Sequence, residues 1–145
     1  MFLYVPEKII LGALGSKSSE VIICLDSAAA VLGFGNGFGI PVQFFSNLKD
    51  NLLKSSYLEP ILVDDLGEYS GDVINIGGVR CTNIQRTICD LISYDECKQV
   101  LDEVLSDYLF TGQDMLELCS MAERFGIKDK LDEEIEWAKL CHNRG

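Results

Sequence analysis

Apolar residues recur three and four positions apart along the second half of the chain, a spacing that places them on one face of an α-helix. Three such faces follow one another: Cys97, Val100, Leu101, Val104, Leu105 and Tyr108; then Met115, Leu118, Cys119 and Ala122; then Ile127, Leu131, Ile135 and Ala138, with Trp137 as a further inward candidate. TGQD (111–114) marks the start of the middle helix and Phe125-Gly126 its end. With the preceding segment TNIQRTICDLI (82–92), the pattern predicts four consecutive helices.

Shorter patterns fill the first half of the chain. Pro6 suits a first helical turn and Gly15 a helix end, so Pro6–Gly15 is predicted to be a helix. A second helix is expected over Asp26–Leu32, before the glycines of GFGNGFG stop it. The β-prone runs IPVQFF and PILVDDL predict strands, and DVINI-GG-VRCT predicts a hairpin around its two glycines.

Two helix starts carry a capping-box pattern, in which a hydroxyl residue is followed three positions later by Glu or Gln. They are Thr82 with Gln85 and Ser93 with Glu96. Helices and strands are thus segregated along a chain whose length suits a single domain over residues 1–145. The expected fold class is α+β, with a small mixed or antiparallel sheet containing a hairpin, flanked by N-terminal helices and a C-terminal helical bundle.

The charge is strongly one-sided, with 23 acidic and 12 basic residues and a formal net charge of −11. Nonspecific binding to nucleic acid depends on Lys and Arg neutralising phosphates, so we expect no direct nucleic-acid binding by this chain. The acidity either serves solubility or forms a face for a basic partner. No apolar run is long enough to span a membrane, and the N-terminus lacks the pattern of a secretory signal. We therefore expect a cytoplasmic protein.

Residues suited to metal binding or catalysis are sparse. The six cysteines form no C-x-x-C pair and are expected to be free thiols, and the only histidine is His142, beside Cys141. Any Ser-His-Asp or Cys-His site would depend on that single histidine near the end of the chain. We therefore expect a non-catalytic protein that holds no metal or cofactor.

Acidic residues cluster at Asp64, Asp65 and Glu68, and again at Asp132, Glu133, Glu134 and Glu136. Paired carboxylates can perform acid–base chemistry or hold Mg²⁺. The second cluster, however, lies on the predicted solvent side of an amphipathic helix, where charges ordinarily keep the surface solvated. We retain this second cluster as a candidate face for a basic partner.

The segment TNIQRTICDLI places Arg86, Thr87 and Asp90 inside an otherwise apolar helix. Arg86 and Asp90 are four residues apart, so they share a helix face and can form an ion pair. Because much of this helix is apolar, Arg86 should be partly buried and then needs partners. It either clasps Asp90 and nearby carbonyls to hold the helix against the hairpin, or points at a ligand or partner while Asp90 orients it.

The segments CLDSAAAVLGF and GGVRCTNIQRTICDLI resemble the C-terminal domain of AbiEi-type antitoxins. After a short hairpin, that family has the signature Glu-Arg-Thr-Leu-x-Asp-Leu. Here Gln85 replaces the glutamate of the signature, and the other positions are matched by Arg86, Thr87, Ile88, Asp90 and Leu91. The C-terminal segment MAERFGIKDKLDEEIEWA is similar to the family's closing helices, so the likeness covers most of the chain.

The resemblance implies a domain of a type IV antitoxin, which counters a nucleotidyltransferase-like toxin in phage defence without necessarily forming a stable complex with it. It also implies that Arg86, Thr87 and Asp90 form a fold-defining clasp, with a partner-facing role open to Arg86. Leu25 and Leu32 stand where the family often has histidines, so any role of those histidines does not carry over. The family's promoter-binding winged helix is expected to be missing, because the chain begins about where its wing would end.

Two other functions stay open. The charge of −11 also suits an acidic inhibitor that mimics nucleic acid, for example a phage-borne anti-defence protein that binds a basic nucleic-acid-binding enzyme. A generic protein-interaction module, whose activity lies in a partner, is compatible with the same residues.

Overall fold

The computed structural model describes residues 21–35, 41–47, 58–94 and 98–144, with side chains described as far as residue 140. In chain order the elements are strand β1 (Val21–Ile23), helix α1 (Leu25–Leu32), strands β2 (Val42–Ser46) and β3 (Leu58–Leu62), a 3-10 helix (Leu66–Asp72), strands β4 (Val73–Ile76) and β5 (Val79–Thr82), and helices α2 (Ile84–Ser93), α3 (Lys98–Phe110), α4 (Met115–Arg124) and α5 (Lys128–Arg144). The predicted α+β fold class is confirmed.

The strands form one mixed sheet in the order β3-β2-β1-β5-β4. β1 lies at its centre, antiparallel to β2 and parallel to β5, while β3 is parallel to β2. The sequence patterns did not predict β1, because its residues are buried on both faces of the sheet and show no alternation. A strand therefore precedes α1, which departs from the predicted order of helices followed by strands.

The predicted hairpin is present and consists of β4 and β5. Gly77 and Gly78 both have positive φ, 59° and 87°, which a two-residue turn of this kind requires and glycine adopts without strain. The turn pairs Ile76 with Val79 and, three residues further along each strand, Val73 with Thr82. This register positions the start of α2, as described below.

Buried apolar side chains form two groups because neighbouring residues of a strand point to opposite faces of the sheet. Ile22 and Phe45 belong to the larger group, together with the inward faces of α2 to α5. Val21, Ile23 and Phe44 belong to the second group. The helical faces predicted from spacing pack inward, with buried members Leu101, Val104, Leu105, Tyr108, Leu118, Ala122, Leu131, Ile135 and Ala138.

Several local predictions need correction. Thr82 is not the N-cap of α2, because strand pairing continues through Thr82 and the strand-to-helix turn falls on Asn83, whose side chain accepts a hydrogen bond from the Arg86 amide (2.8 Å). Trp137 does not face inward: it is 47% exposed, and its indole N–H donates to Asp102 (3.0 Å).

The second predicted strand is shifted toward the N-terminus, since β3 ends at Leu62 and Asp65 instead caps the 3-10 helix by accepting from the Gly67 amide (2.8 Å). The predicted helix Pro6–Gly15 and the partner Glu96 of the Ser93 capping box lie outside the described residues. Within the described ranges, none of the helices combines the length and apolar character needed to cross a membrane.

Candidate functional site

Three elements meet at Arg86. The residue lies in the first turn of α2, directly after the hairpin, where Asn83 caps the helix. The 3-10 helix supplies Tyr69 and Asp72, and Phe125 follows the end of α4. We refer to Tyr69, Asp72, Arg86, Asp90 and Phe125 as the Arg86 cluster.

Two carboxylates share the guanidinium of Arg86. Its Nε donates to Asp90 Oδ1 at 2.9 Å, and its Nη1 donates to Asp72 Oδ2 at 3.0 Å. Only 12% of the Arg86 side chain is exposed, so these charge-assisted bonds lie in a largely dry environment. The predicted pairing of Arg86 with Asp90 is present, and the structure adds Asp72 from outside the helix.

Two aromatic rings enclose the same guanidinium. Its central carbon lies 4.4 Å from the ring centroid of Tyr69 and 4.5 Å from that of Phe125. Rings at these distances attract a cation through their negative faces. Tyr69 in turn stacks on Phe45 of β2, with 4.5 Å between centroids. Arg86 therefore joins the sheet, the 3-10 helix, α2 and the end of α4.

The surroundings of Asp90 in the cluster raise its pKa. Burial raises its pKa to about 6, with a further contribution from Asp72, while the bonded Arg86 works in the opposite direction. Its Oδ2 is buried and, among the described residues, has no hydrogen-bond partner. For Arg86, burial disfavours the charge, but Asp90 and Asp72 outweigh burial and raise the pKa. The guanidinium therefore stays charged throughout the physiological range.

Thr87, the third predicted residue, does not contact the ion pairs but ties α2 to the hairpin. Its hydroxyl lies 2.7 Å from the Thr82 hydroxyl and donates to the carbonyl of Asn83 at 2.8 Å. Both threonines are fully buried. A buried hydroxyl left without a partner costs free energy, so this pair specifies how the helix leaves the strand.

We expect Thr87→Val to lower the free energy of unfolding by about 1–2 kcal/mol, because it leaves the buried Thr82 hydroxyl without its partner while preserving side-chain shape. Urea unfolding followed by circular dichroism measures this. Thr87→Ser keeps the hydroxyl and is the control that should retain most of the stability. A larger loss in Thr87→Ser than in Thr87→Val would show that the methyl group, not the hydrogen bond, is what matters.

A cleft of about 370 Å³ opens beside the Arg86 cluster. It lies between the end of the 3-10 helix, the start of α2 and one side of α4. Its lining includes Asp72, Asn83, Glu117, Ser120, Met121 and Arg124. Asp72 belongs to both features, so the cleft and the cluster share a carboxylate.

The candidate acidic face on α5 is less uniform than predicted. Glu134 is buried, at 5% exposure, and forms an ion pair with Lys98 of α3 at 2.6 Å, so its predicted solvent-facing position is wrong. The reason is that α5 packs on α3 at this point, where Lys98 supplies the counter-charge. Asp132 is exposed and pairs with Lys128 at 2.7 Å.

The remaining acidic residues of α5 are also exposed. Glu136 lies 3.6 Å from Lys139, and Glu133 is solvent-facing. Lysines of the same helix thus offset part of the negative charge of this face. Exposed pairs of this kind contribute little to stability.

Cysteine and metal chemistry have no organised centre in the described part of the chain. No group of three or more His, Cys, Asp or Glu residues there is placed to hold a metal ion. Cys89 is a buried free thiol, and burial raises its pKa to about 12, with Asp90 adding to the effect. A thiol with so high a pKa carries almost no thiolate at neutral pH and is a poor nucleophile.

Sequence reasoning missed three members of the cluster: Tyr69, Asp72 and Phe125. The hairpin register could have identified Asp72, because a two-residue turn at Gly77-Gly78 places it opposite Asn83, and the Asn83 amide indeed donates to the Asp72 carbonyl at 2.7 Å. No sequence signal identifies Phe125, since it depends on how α4 packs against α2.

Comparisons with protein-family models and with characterised proteins gave no match to this chain.

Proposed function

We propose that this chain is a non-catalytic, antitoxin-like domain that counters a nucleotidyltransferase-type toxin in phage defence and acts in the cytoplasm. The proposal starts from the resemblance of the GGVRCTNIQRTICDLI segment to AbiEi-type antitoxins. It concerns the domain that follows the winged helix in that family.

One observation carries most of the support. The signature residues Arg86, Thr87 and Asp90 lie at the junction of hairpin, 3-10 helix and helices, and each makes buried contacts there. Such a junction explains why an Arg-Thr-x-x-Asp pattern would follow a hairpin in a domain of this kind: it holds the sheet and the helices in one arrangement. An intact arrangement is what a domain acting through a surface requires.

A growth-rescue assay tests the proposal. The chain is expressed together with the nucleotidyltransferase gene adjacent to its own, and growth is compared with that of cells expressing the toxin alone. We expect soluble wild-type protein to restore growth. A toxin with its nucleotide-transfer site inactivated is the control, because cells carrying it should grow with or without the chain. Absence of rescue by soluble wild-type protein would overturn the proposal.

The net charge of −11 supports a second candidate, an acidic inhibitor that binds a basic nucleic-acid-binding enzyme. Combined reversal of the three exposed carboxylates of α5, Asp132→Lys, Glu133→Lys and Glu136→Lys, separates the two. Glu134 is left unchanged because it is buried and paired with Lys98. If the charge-reversed variant no longer inhibits the basic enzyme, and wild-type binding to that enzyme weakens strongly with added salt, the result would favour mimicry of nucleic acid. Unchanged rescue would favour the antitoxin.

A further inference from the structure

The Asp72 carboxylate lines the cleft beside the Arg86 cluster, and only one of its two oxygens accepts a hydrogen bond from the described residues. Asp72 is 7% exposed and lines the cleft. Its Oδ2 accepts from Arg86 at 3.0 Å, and its backbone carbonyl accepts from the Asn83 amide at 2.7 Å. Within the described residues, Oδ1 accepts no hydrogen bond. A carboxylate oxygen that has no donor from the described residues can accept a hydrogen bond from a group bound in the cleft.

The chain itself shows which chemical group approaches Oδ1. Nη2 of Arg124 lies 3.6 Å away, within ion-pair range but too far for a hydrogen bond. The Arg124 side chain is 60% exposed and also lies over the Phe125 ring. An exposed and poorly aligned ion pair is weak, so Arg124 can be displaced at little cost.

The other walls of the cleft complement a long cationic side chain. Glu117, in the first turn of α4, adds a second carboxylate, and Ser120 one turn later adds a hydroxyl. Met121 contributes an apolar, adaptable surface of the kind that packs along methylene groups. Apart from Arg124 itself, the charged residues that line the cleft are therefore acidic.

We propose that this cleft binds an arginine side chain of the protein's partner, with the guanidinium displacing Arg124 from Asp72. Asp72 Oδ1 and the Glu117 carboxylate accept its N–H groups, and Met121 contacts its methylene stem. Asp72 is preorganised for this role, because Arg86 and the Asn83 amide already hold it in place. A planar guanidinium suits such carboxylates better than a lysine ammonium does, since it presents several donors in a fixed fork.

The surroundings of the cleft favour a basic protein as the source of the arginine. The chain carries a net charge of −11, which attracts a positively charged partner. Leu116 lies next to Glu117 at the start of α4 and is 83% exposed, and Phe125 at the end of α4 is also exposed. Exposed apolar side chains on or next to a helix that lines a charged cleft are typical of a protein–protein interface. This inference deepens the proposed function by naming the surface that would meet the basic partner.

Direct titration tests the cleft without any toxin. The probe is N-acetyl-arginine amide at low salt, followed through the backbone NMR resonances of ¹⁵N-labelled full-length protein. Two comparison probes are used. N-acetyl-lysine amide keeps a positive charge on a methylene stem but lacks the planar guanidinium, and N-acetyl-norleucine amide keeps only the apolar stem. We expect shifts centred on Glu117 and Ser120 with the arginine probe, weaker shifts with lysine and none with norleucine.

Variants sharpen the test. Arg124→Ala should bind the arginine probe roughly twofold to fivefold more tightly, the effect of removing one competing exposed ion pair. Glu117→Gln should weaken binding by a similar factor, and Glu123→Gln, an exposed carboxylate of the same helix outside the cleft lining, is the matched control that should bind like wild type. These three positions are exposed, so the variants should fold, which circular dichroism checks.

The inference is overturned if the arginine and norleucine probes give the same shifts, if Arg124→Ala shows no arginine binding, or if Glu117→Gln and Glu123→Gln behave alike. Its failure is distinguishable from failure of the proposed function. Rescue of growth without arginine binding would retain the antitoxin and reject this surface. Arginine binding without rescue would retain the surface and reject the antitoxin.

Discussion

Replacing Arg86 by alanine is expected to lower the free energy of unfolding by about 3–5 kcal/mol, the usual cost of removing one partner from a buried ion pair. The loss has two sources. Asp72 and Asp90 are left buried without their shared counter-charge, and the space between the rings of Tyr69 and Phe125 becomes empty. Since small domains are stable by only about 5–15 kcal/mol, much of the protein would be close to unfolding at growth temperature.

Chemical denaturation at pH 7 measures the effect, with Arg124→Ala as the matched control. Arg124 also contacts Asp72 and Phe125, but it is 60% exposed, so its removal should cost less than about 1 kcal/mol. Arg86→Lys retains a charge without the planar fork and should fall between the two. A loss for Arg86→Ala no larger than that for Arg124→Ala would show that the cluster does not hold the fold together.

Lowering the pH is expected to stabilise the wild-type protein relative to Asp90→Asn by about 2 kcal/mol between pH 7 and pH 4. The sign follows from the raised pKa, about 6 in the folded state against 3.8 as the ordinary value, which burial causes. Between these values the folded state binds a proton that the unfolded state releases. Acidification therefore favours the folded wild type through Asp90, and this contribution is lost as the pH rises through about 6.

The comparison with Asp90→Asn isolates one carboxylate from the others in this acidic chain. Unfolding of both proteins is measured at several pH values, and the difference between their free energies of unfolding is plotted against pH. Carboxyl ¹³C NMR gives the pKa of Asp90 directly. If the wild type instead becomes less stable relative to Asp90→Asn as the pH falls, Arg86 outweighs burial and holds the Asp90 pKa below its ordinary value.

Part of the Arg86 cluster could be predicted from the spacing of residues along the chain. A separation of four residues places Arg86 and Asp90 on one helix face, and the apolar residues around them indicate burial, so their pairing was predictable. Asp72 could also have been predicted from the sequence, because the glycine turn sets the hairpin register that places it beside the start of α2. The positions of Phe125 and of the cleft could not be predicted from the sequence, since they depend on how α4 packs against α2.

The acidic residues of α5 illustrate the same limit. Helical spacing correctly identifies Leu131, Ile135 and Ala138 as inward-facing. It does not reveal that Glu134 is buried as well, because that depends on Lys98 of another helix lying within 2.6 Å. Charge alone therefore overestimated the exposed acidic face.

The strands show where pattern reading succeeds and where it fails. Adjacent glycines between two β-prone runs predicted the hairpin, since few residues other than glycine adopt positive φ twice in succession. The sequence pattern did not predict β1, because a strand buried on both faces shows no alternation of apolar and polar residues. Leu25 adopts a positive φ of 53° although it is a large, fully buried residue, and nothing in the sequence signals this.

The sequence by itself determined the fold class, the hairpin, the helical faces and the Arg86–Asp90 pairing, because each depends on residues close together in the chain. The tertiary structure alone decided the central position of β1, the burial of Glu134, the aromatic enclosure of Arg86 and the cleft at Asp72. These features arise where distant segments meet, and their free energies depend on desolvation and on partners that no local spacing specifies.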